Sequence, residues 1–351
     1  MKTAIVHIGA HKTGSTSIQM SLAQSKDGLN GQGIRYFNDY SRSLQLLSLG
    51  LRPVAKKPPN RSIYTSVAQA QEASRKTWMS LARKVRREEP PITVISEESL
   101  MGIEDPKKLA FFLNRIFDRV FIVVYVRNPV TRYPSSIDQW IREGRPTVRC
   151  IKGRLLPPLL PPLLKYEAAF GALNMIVRNF DCTNWQGGTP SSDFAYVMSC
   201  IADRGVTLQD AGQKNFSNPA SVSHSLLQHN DRLHIQGQEL TQAWRKLRNA
   251  LINELRQIKG VLEQEKLNLA GTPLLPHLCH LFRDEVDQIN DRYLSDQIPI
   301  SLPCEGIPML KAEVRPAFTE WMNSYQDASV AQLVADLKAM VERPRINSYL
   351  P

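Results

Sequence analysis

The sequence has no pair of cysteines at metal-ligand or redox-motif spacing. Its five cysteines, Cys150, Cys182, Cys200, Cys279 and Cys304, are odd in number and widely separated, so they read as reduced thiols in a reducing compartment, with no metal centre expected. It also lacks a long apolar run. The opening Met1-Lys2-Thr3-Ala4-Ile5-Val6-His7-Ile8 is too short for a signal peptide or membrane anchor, and Gly9 and polar residues follow at once. Nothing later approaches a membrane-spanning length, and a cytoplasmic location is the expectation. There is no internal repeat and no convincing linker. What remains is 351 residues at 42% hydrophobic, enough to bury one α/β core with appended helices and outside the disordered classes.

Acidic residues are scarce in the first part of the chain. Residues 1–150 hold 24 Lys/Arg against 12 Asp/Glu, and the remainder holds 20 against 21, so the net charge of +11 comes from the N-terminal part. A field of that sign favours anionic ligands, among them nucleotides, acidic glycans, nucleic acid and anionic membrane surfaces. Nucleic-acid binding also asks for aromatic residues interleaved with basic ones. The densest basic cluster, Arg83-Lys84-Val85-Arg86-Arg87, contains no aromatic and reads as a solvated helix surface.

Thr3 to Ile8 is a β-branched-rich run ending at Gly9, and Thr16 to Leu29 places Ile18, Leu22 and Leu29 at helical spacing. The opening unit is therefore strand, glycine turn, helix. Further strands are expected at Ile34 to Phe37, Ile92 to Ser96, Val120 to Val126 and Leu173 to Val177, with helices at Ser66 to Glu88 and Pro106 to Asp118 between them. Alternating strands and helices imply a central parallel sheet flanked by helices on both faces, an α/β three-layer fold of the P-loop type. The unalternating Phe121-Ile122-Val123-Val124-Tyr125-Val126 suits its central strand. In such sheets ligands bind beyond the carboxyl ends of the strands. Residues 38–62 and 145–164 read as excursions from this core. The latter contains Pro157-Pro158 and Pro161-Pro162 and cannot be a regular helix throughout. After about residue 220 the pattern is mainly helical, notably Leu240 to Leu269 and Cys279 to Leu294, with a tail carrying Trp321 and Leu333 to Met340. The expected organisation is one α/β domain over residues 1–300 with an extension, 301–351, packed on it.

Gly9-Ala10-His11-Lys12-Thr13-Gly14-Ser15-Thr16 has the glycine spacing of a nucleotide phosphate loop in the context that such a loop requires, after a strand and opening a helix. Gly14 permits a tight turn, and the N–H groups of Gly14, Ser15, Thr16 and Ser17 would face one anion at the positive end of the helix dipole. The kinase and ATPase version carries Lys-Ser/Thr after its second glycine. Here Ser15-Thr16 follow instead, and the lysine comes earlier, at Lys12. A phosphoryl-transfer loop needs its hydroxyl to hold Mg²⁺ against a triphosphate, whereas a sulfuryl group bears less charge and suits Lys12 with main-chain donors. The residues Lys12-Thr13-Gly14-Ser15-Thr16-Ser17 closely resemble the 5′-phosphosulfate loop of sulfotransferases that use PAPS, 3′-phosphoadenosine 5′-phosphosulfate. His7-Ile8-Gly9 resembles the bacterial branch of that family.

The stretch Tyr125-Val126-Arg127-Asn128-Pro129-Val130-Thr131-Arg132-Tyr133-Pro134-Ser135-Ser136 begins at the end of the strongest strand, and Asn128 before Pro129 is a helix-start signal. Arg127 is thereby placed at the carboxyl edge of the sheet. Alone it also suits a structural ion pair. Arg127 with Ser135 resembles the family's 3′-phosphate site, a guanidinium and a hydroxyl for one phosphate. Pro134 is expected to kink or restart the helix just before Ser135, which leaves Ser136 as the alternative. Two phosphate sites match a nucleotide phosphorylated at both the 5′ and 3′ positions, the feature that separates PAPS from ATP.

Transfer to an acceptor hydroxyl or amine needs a base near the sulfur. Ser96-Glu97-Glu98-Ser99 follows a strand and resembles the Ser-x-Glu segment of bacterial sulfotransferases, which implies Glu98 as base and Glu97 second. One or both could equally be solvated or cap the following helix. His7 and His11 are rivals, since histidine is the base in the family's cytosolic steroid and phenol branch. His7 lies within a strand, as a core residue would, and His11 is placed to shape the loop. Lys12 is placed to neutralise charge on the leaving nucleotide.

The resemblance covers residues 3–37 and 92–144, and more loosely Tyr166 to Leu226, where Phe170-Gly171, Arg178-Asn179-Phe180-Asp181 and Asn215-Phe216-Ser217 look similar. The Arg-Lys-Gly and Gly-Asp-Trp-Lys signatures of the cytosolic animal enzymes are missing, so other contacts must cover the adenosine. The basic 38–62 segment and Arg145, Arg149, Lys152 and Arg154 could wall an acceptor site, for an acidic glycan as one candidate. Partners implied are the nucleotide donor and this acceptor, without nucleic acid or membrane insertion. Competing readings are a P-loop kinase using ATP on a small metabolite, a nucleic-acid-binding module, and a binding protein without turnover.

Overall fold

The computed structural model describes residues 1–37, 66–151, 155–212, 217–237 and 265–332, with residue 335. The excursion expected at 38–62, the helical stretch from Leu240 through residue 264, Lys152 and Arg154, Asn215-Phe216 and, apart from residue 335, the tail from Leu333 to Met340 lie outside the described residues. The chain divides into two compact units. The first comprises Met1–Asn128, Pro158–Asn215 and Asp284–Ser301; the second comprises Pro129–Pro157, Phe216–Arg283 and Leu302–Pro351.

The first unit is α/β. Its strands are β1 (Thr3–His7), β2 (Ile34–Tyr36), β3 (Ile92–Ser96), β4 (Arg119–Val126) and β5 (Met175–Asn179), all parallel, in the order β2-β3-β1-β4-β5. Every residue of β1 and β3 is buried, as is β4 from Val120 onward, which requires helices on both faces. One face carries Ile5, Ile92, Val94, Val123 and Tyr125 against α1 (Ser15–Gln24), α2 (Lys26–Gly31) and α8 (Pro190–Ala202), which contribute Ile18, Leu22, Leu29, Phe194, Val197 and Met198. In the same unit α3 (Val67–Glu88) is capped by Ser66, whose hydroxyl accepts from Gln69 N at 3.2 Å. Helix α4 (Pro106–Leu113) packs with α7 (Leu160–Phe170), and α7 lies on β4 and β5.

The sequence expectation of an α/β fold with a central parallel sheet flanked by helices is what the chain adopts. Several boundaries differ for local reasons. The helix expected from Thr16 to Leu29 is two helices, broken at Ser25, whose hydroxyl accepts from Gln209 N at 2.7 Å. The helix from Pro106 stops at Leu113, five residues before the expected end, because the chain turns into β4 at Arg119. The strand expected at Leu173 begins at Met175, since Gly171 at φ 88 ends α7 and opens a 3₁₀ turn, Ala172–Asn174, that leaves Leu173 exposed. Pro161 and Pro162 sit in the first turn of α7, where a missing N–H removes no intrahelical bond.

The second unit is helical in its described residues: α5 (Pro129–Arg142), α6 (Thr147–Cys150), α9 (Ala220–Ile235), the first half of α10 (Leu274–Tyr293) and α11 (Lys311–Asn323). Helix α10 begins five residues before the expected Cys279. Of the kink or restart expected at Pro134, the restart does not occur: α5 is one helix with Pro134 inside it. Proline lacks only its own N–H, and this one lies in the second turn, so a single bond near the helix start is given up. Buried Asp138 organises the unit by accepting from Ser223 Oγ at 3.0 Å, Asn218 N at 3.4 Å and Arg142 Nη2 at 3.1 Å. Asp231 takes both the N–H and the hydroxyl of Thr147 at 2.7 Å. Among the described residues no helix is long and apolar enough to cross a membrane.

Phe194 is fully buried between α1, α8 and the sheet. Phe194→Ala should lower unfolding stability by about 3–5 kcal/mol in urea denaturation; a loss near zero would show that this face of the core collapses around the cavity.

Candidate active site

The central position of β1 decides the geometry of the carboxyl edge. Its neighbours are β3 and β4, with His7 in register with Ser96 on one side and Val123 on the other. The segment after β1 therefore runs between those after β3 and β4, and the main chain fastens it to both. Glu97 N donates to His7 O (2.9 Å) and Met101 N to Ile8 O (3.2 Å) on the β3 side; Ile8 N donates to Val123 O (3.0 Å), Ala10 N to Tyr125 O (3.1 Å) and Tyr125 N to Gly9 O (2.8 Å) on the β4 side.

Beyond Ala10 the chain turns through a compact loop into α1. Lys12 and Gly14 both have left-handed backbones, φ 67 and φ 71. Gly14 is the N-cap of α1 and offers no side-chain cap, and no acidic residue stands in the first turn. The first amides of α1 thus have no intrahelical acceptor, and the first backbone bond of the helix is Ile18 N to Gly14 O, 3.1 Å. A Cβ at Gly14 would stand 3.0 Å from Phe180 Cε2 and 3.1 Å from Pro190, so glycine is favoured by both space and backbone. Thr13 and Ser15 are buried, and their hydroxyls donate to Ala10 O at 2.6 and 3.4 Å. These two side chains hold the loop to itself, while Thr16 and Ser17 are half-buried at the helix start.

Charged groups stand on the segments that follow β1, β3 and β4. After β3, Glu97 is buried and caps the 3₁₀ helix Glu98–Gly102: its Oε1 accepts from Ser99 N at 3.0 Å and Ser99 Oγ at 2.6 Å. Glu98 rests against Gly9, where an added Cβ would lie 3.3 Å from its Cγ, and its carboxylate pairs with His11 Nδ1. The His11 side chain is 66% exposed and that of Glu98 30%, so the pair faces solvent at the loop. After β4, Arg127 is half-buried, with Nη1 donating to Lys12 O at 3.0 Å and the guanidinium 5.6 Å from the Phe180 ring centre. Burial lowers the pKa of Arg127 from its ordinary value, the mark of a cation deprived of water that a bound anion would favour. The structure thus brings Lys12, Glu98, His11 and Arg127 to one edge. Ser135 and Ser136 belong to the second unit, on α5: Ser135 is half-buried, and Ser136 is buried with its hydroxyl donating to Arg132 O at 2.9 Å.

His7 is a core residue. It is fully buried, Nδ1 bonds to Ser96 Oγ at 2.8 Å, and the ring packs on Tyr125 and Phe194. Burial pushes its pKa down to about 4 against the opposing charge of Glu98, so the imidazole is neutral at neutral pH.

Several site-forming residues carried no recognisable signal in the sequence. Asp193, fully buried on α8, accepts from Tyr125 OH (2.8 Å), Gln186 N (3.0 Å) and both Nε (3.1 Å) and Nη2 (2.5 Å) of Arg178. This fixes the 180–190 connection, where Phe180 and Trp185 pack with ring centres 4.9 Å apart beside Gly14 and Arg127. Residues 297–301 lie across the ends of β4 and β5: Gln297 Nε2 donates to Val177 O (2.8 Å), Asn179 Nδ2 to Ile298 O (3.0 Å) and Asn128 Nδ2 to Ser301 O (2.7 Å). The sequence marks Tyr125 as part of a strand, Asn128 as a helix start and the Arg178-Asn179-Phe180-Asp181 run without a role.

The chain is similar in structure to a sulfotransferase from Alicyclobacillus acidocaldarius, at 15% sequence identity and a TM-score of 0.40, over 70% of this chain and 99% of that one. No family model matches the chain, and no curated protein matches it.

Two outcomes follow from this geometry. Because the folded His7 titrates below the unfolded value near 6.5, the unfolded chain takes up its proton first as the pH falls. Stability from this group is complete above about pH 6.5 and is lost down to about pH 4, to the extent of about 3 kcal/mol. Urea denaturation of His7→Asn and the parent across that range should show the parent alone losing this increment. Gly14→Ala should lower stability by about 1–3 kcal/mol through backbone strain and contact with Phe180 and Pro190, measured in the same way.

Proposed function

We propose that this chain is a sulfotransferase that moves a sulfuryl group from PAPS to a hydroxyl or amine of an acceptor. The observation that carries the reading is the bond from Arg127 Nη1 to Lys12 O. It joins the basic group expected for the nucleotide's 3′-phosphate to the loop expected for its 5′ end, on adjacent strands of one sheet. On this reading the amides from Gly14 to Ser17 hold the 5′-phosphosulfate, in line with an N-cap that supplies no side chain. The hydroxyls of Thr13 and Ser15, bonded to Ala10 O, serve by shaping the loop. Ser135 enters as second ligand of the 3′-phosphate on the family resemblance alone.

Glu98 is the proposed base: its carboxylate accepts the acceptor's proton as the bond to sulfur forms, and His11, paired with it, holds it at the mouth of the loop. Lys12 offsets the charge that builds on the leaving nucleotide. Glu97, engaged with Ser99, positions the segment that carries Glu98. The excess of basic residues in the N-terminal part suits an anionic acceptor, an acidic glycan being the class to screen first.

Calorimetric titration with 3′,5′-diphosphoadenosine, beside ATP with Mg²⁺, tests the donor. The expected result is preference for the diphosphate, weakened about tenfold or more in Lys12→Ala and in Arg127→Ala; preference for ATP with Mg²⁺ would turn the reading to a kinase. Glu98→Gln should abolish transfer from PAPS while leaving diphosphate affinity unchanged. Retained turnover in that variant would move the base to Glu97 or a histidine.

A further inference from the structure

Cys279 and Cys304 lie 25 residues apart in sequence, yet their sulfurs are 3.4 Å apart. Cys279 is buried on α10 and Cys304 is half-buried on the segment between α10 and α11. That segment is laid along α10 by bonds that do not involve sulfur. Arg283 Nη2 donates to Cys304 O at 2.7 Å, Ile307 N to Pro276 O at 3.1 Å and Met309 N to His277 Nδ1 at 3.1 Å. The two thiols are thus held together by the fold and need only a small approach to reach the bonding distance of about 2.05 Å. Of the other cysteines, Cys150 is buried, and Cys182 and Cys200 are exposed with no second sulfur bonded to them.

We propose that Cys304 and Cys279 form a thiol–disulfide exchange site that takes a low-molecular-weight disulfide of the glutathione class. The half-buried Cys304 reacts first. Its thiolate attacks one sulfur of the reagent, the reagent's S–S bond breaks, and one small thiol leaves as its thiolate, giving a mixed disulfide on Cys304. Cys279 then attacks Cys304 Sγ, forming the Cys279–Cys304 bond and releasing the second small thiol. Two protein thiols are oxidised and one small disulfide is reduced to two thiols, so electrons and protons balance. Burial and the hydrogen bond to Cys304 raise the Cys279 thiol to about 11, in keeping with its part as the second, resolving thiol. The product pins the 302–310 segment to α10 at the residue three positions beyond Ser301, whose carbonyl holds Asn128 at the end of β4.

The test uses the full-length native protein incubated with oxidised glutathione, quenched in acid, alkylated under denaturing conditions and mapped by mass spectrometry. The expected product is a cross-linked peptide pair spanning Cys279 and Cys304, lighter by two hydrogens than the reduced pair, with a thermal midpoint above that of the reduced protein. Cys279→Ser should stop at the mixed disulfide and accumulate glutathione on Cys304. Full alkylation of both Cys279 and Cys304 in the parent, with adducts only on Cys182 and Cys200, would overturn the proposal. So would an adduct on Cys304 that persists in the parent without conversion to the cross-link.

Discussion

The backbone of residues 8–10 is held between two parallel neighbours, and the rest of the carboxyl edge depends on that constraint. A strand that ends inside a sheet leaves N–H and C=O groups that must find partners. Here the partners are Val123 and Tyr125 on one side, and Glu97 and Met101 reaching in from the other. Because the loop is clipped on both sides before it turns into α1, its direction is set by the sheet rather than by its own side chains. Glu98 and Arg127 are then brought to it by the same ladder, each being the first or second residue after a strand that pairs with β1.

Holding a loop this way has conformational consequences. The turn must reverse within a few residues between β1 and α1, which puts Lys12 and Gly14 in the left-handed region. Glycine is favoured at position 14 because Phe180 and Pro190 close over it. Those two residues are themselves fixed by the buried acceptor Asp193, which ties β4 through Tyr125 and β5 through Arg178 to the start of α8. A carboxylate with no solvent exposure is tolerated there because it accepts four hydrogen bonds, one of them from the main chain of Gln186. The aromatic wall beside the loop therefore rests on a polar group that contributes nothing apolar itself.

What was legible in the sequence was whatever has a short-range signature. The unalternating Phe121 to Val126 announced a buried strand, which lies inside the sheet beside the central β1, and Ile92 to Ser96 was bounded correctly at both ends. The glycine spacing marked the loop. The pairing of His11 with Glu98, the bond from Arg127 to Lys12, and the bond from Tyr125 to Asp193 join residues that are 87, 115 and 68 positions apart, and no local pattern encodes such contacts. At Pro134 the restart expected from the local rule does not occur, since α5 is continuous from Pro129 to Arg142. Leu173 was read as the first residue of a strand on hydrophobicity, whereas the left-handed Gly171 delays the strand and leaves that leucine in water.

The distribution of hydroxyls and cations in the loop bears most directly on the proposed chemistry. In a loop built for a triphosphate and Mg²⁺, a lysine follows the second glycine and the next hydroxyl meets the metal. Here that lysine position is Ser15, buried, with its hydroxyl turned back to Ala10. The cation precedes the glycine, at Lys12, and the second cation, Arg127, arrives from a neighbouring strand and bonds to Lys12's own carbonyl. On the proposed reading, a loop whose Thr13 and Ser15 hydroxyls serve its own shape leaves binding to main-chain amides and two flanking cations. That arrangement matches an anion of low charge density at the loop with a second anionic group nearby, rather than one concentrated triphosphate held through a metal.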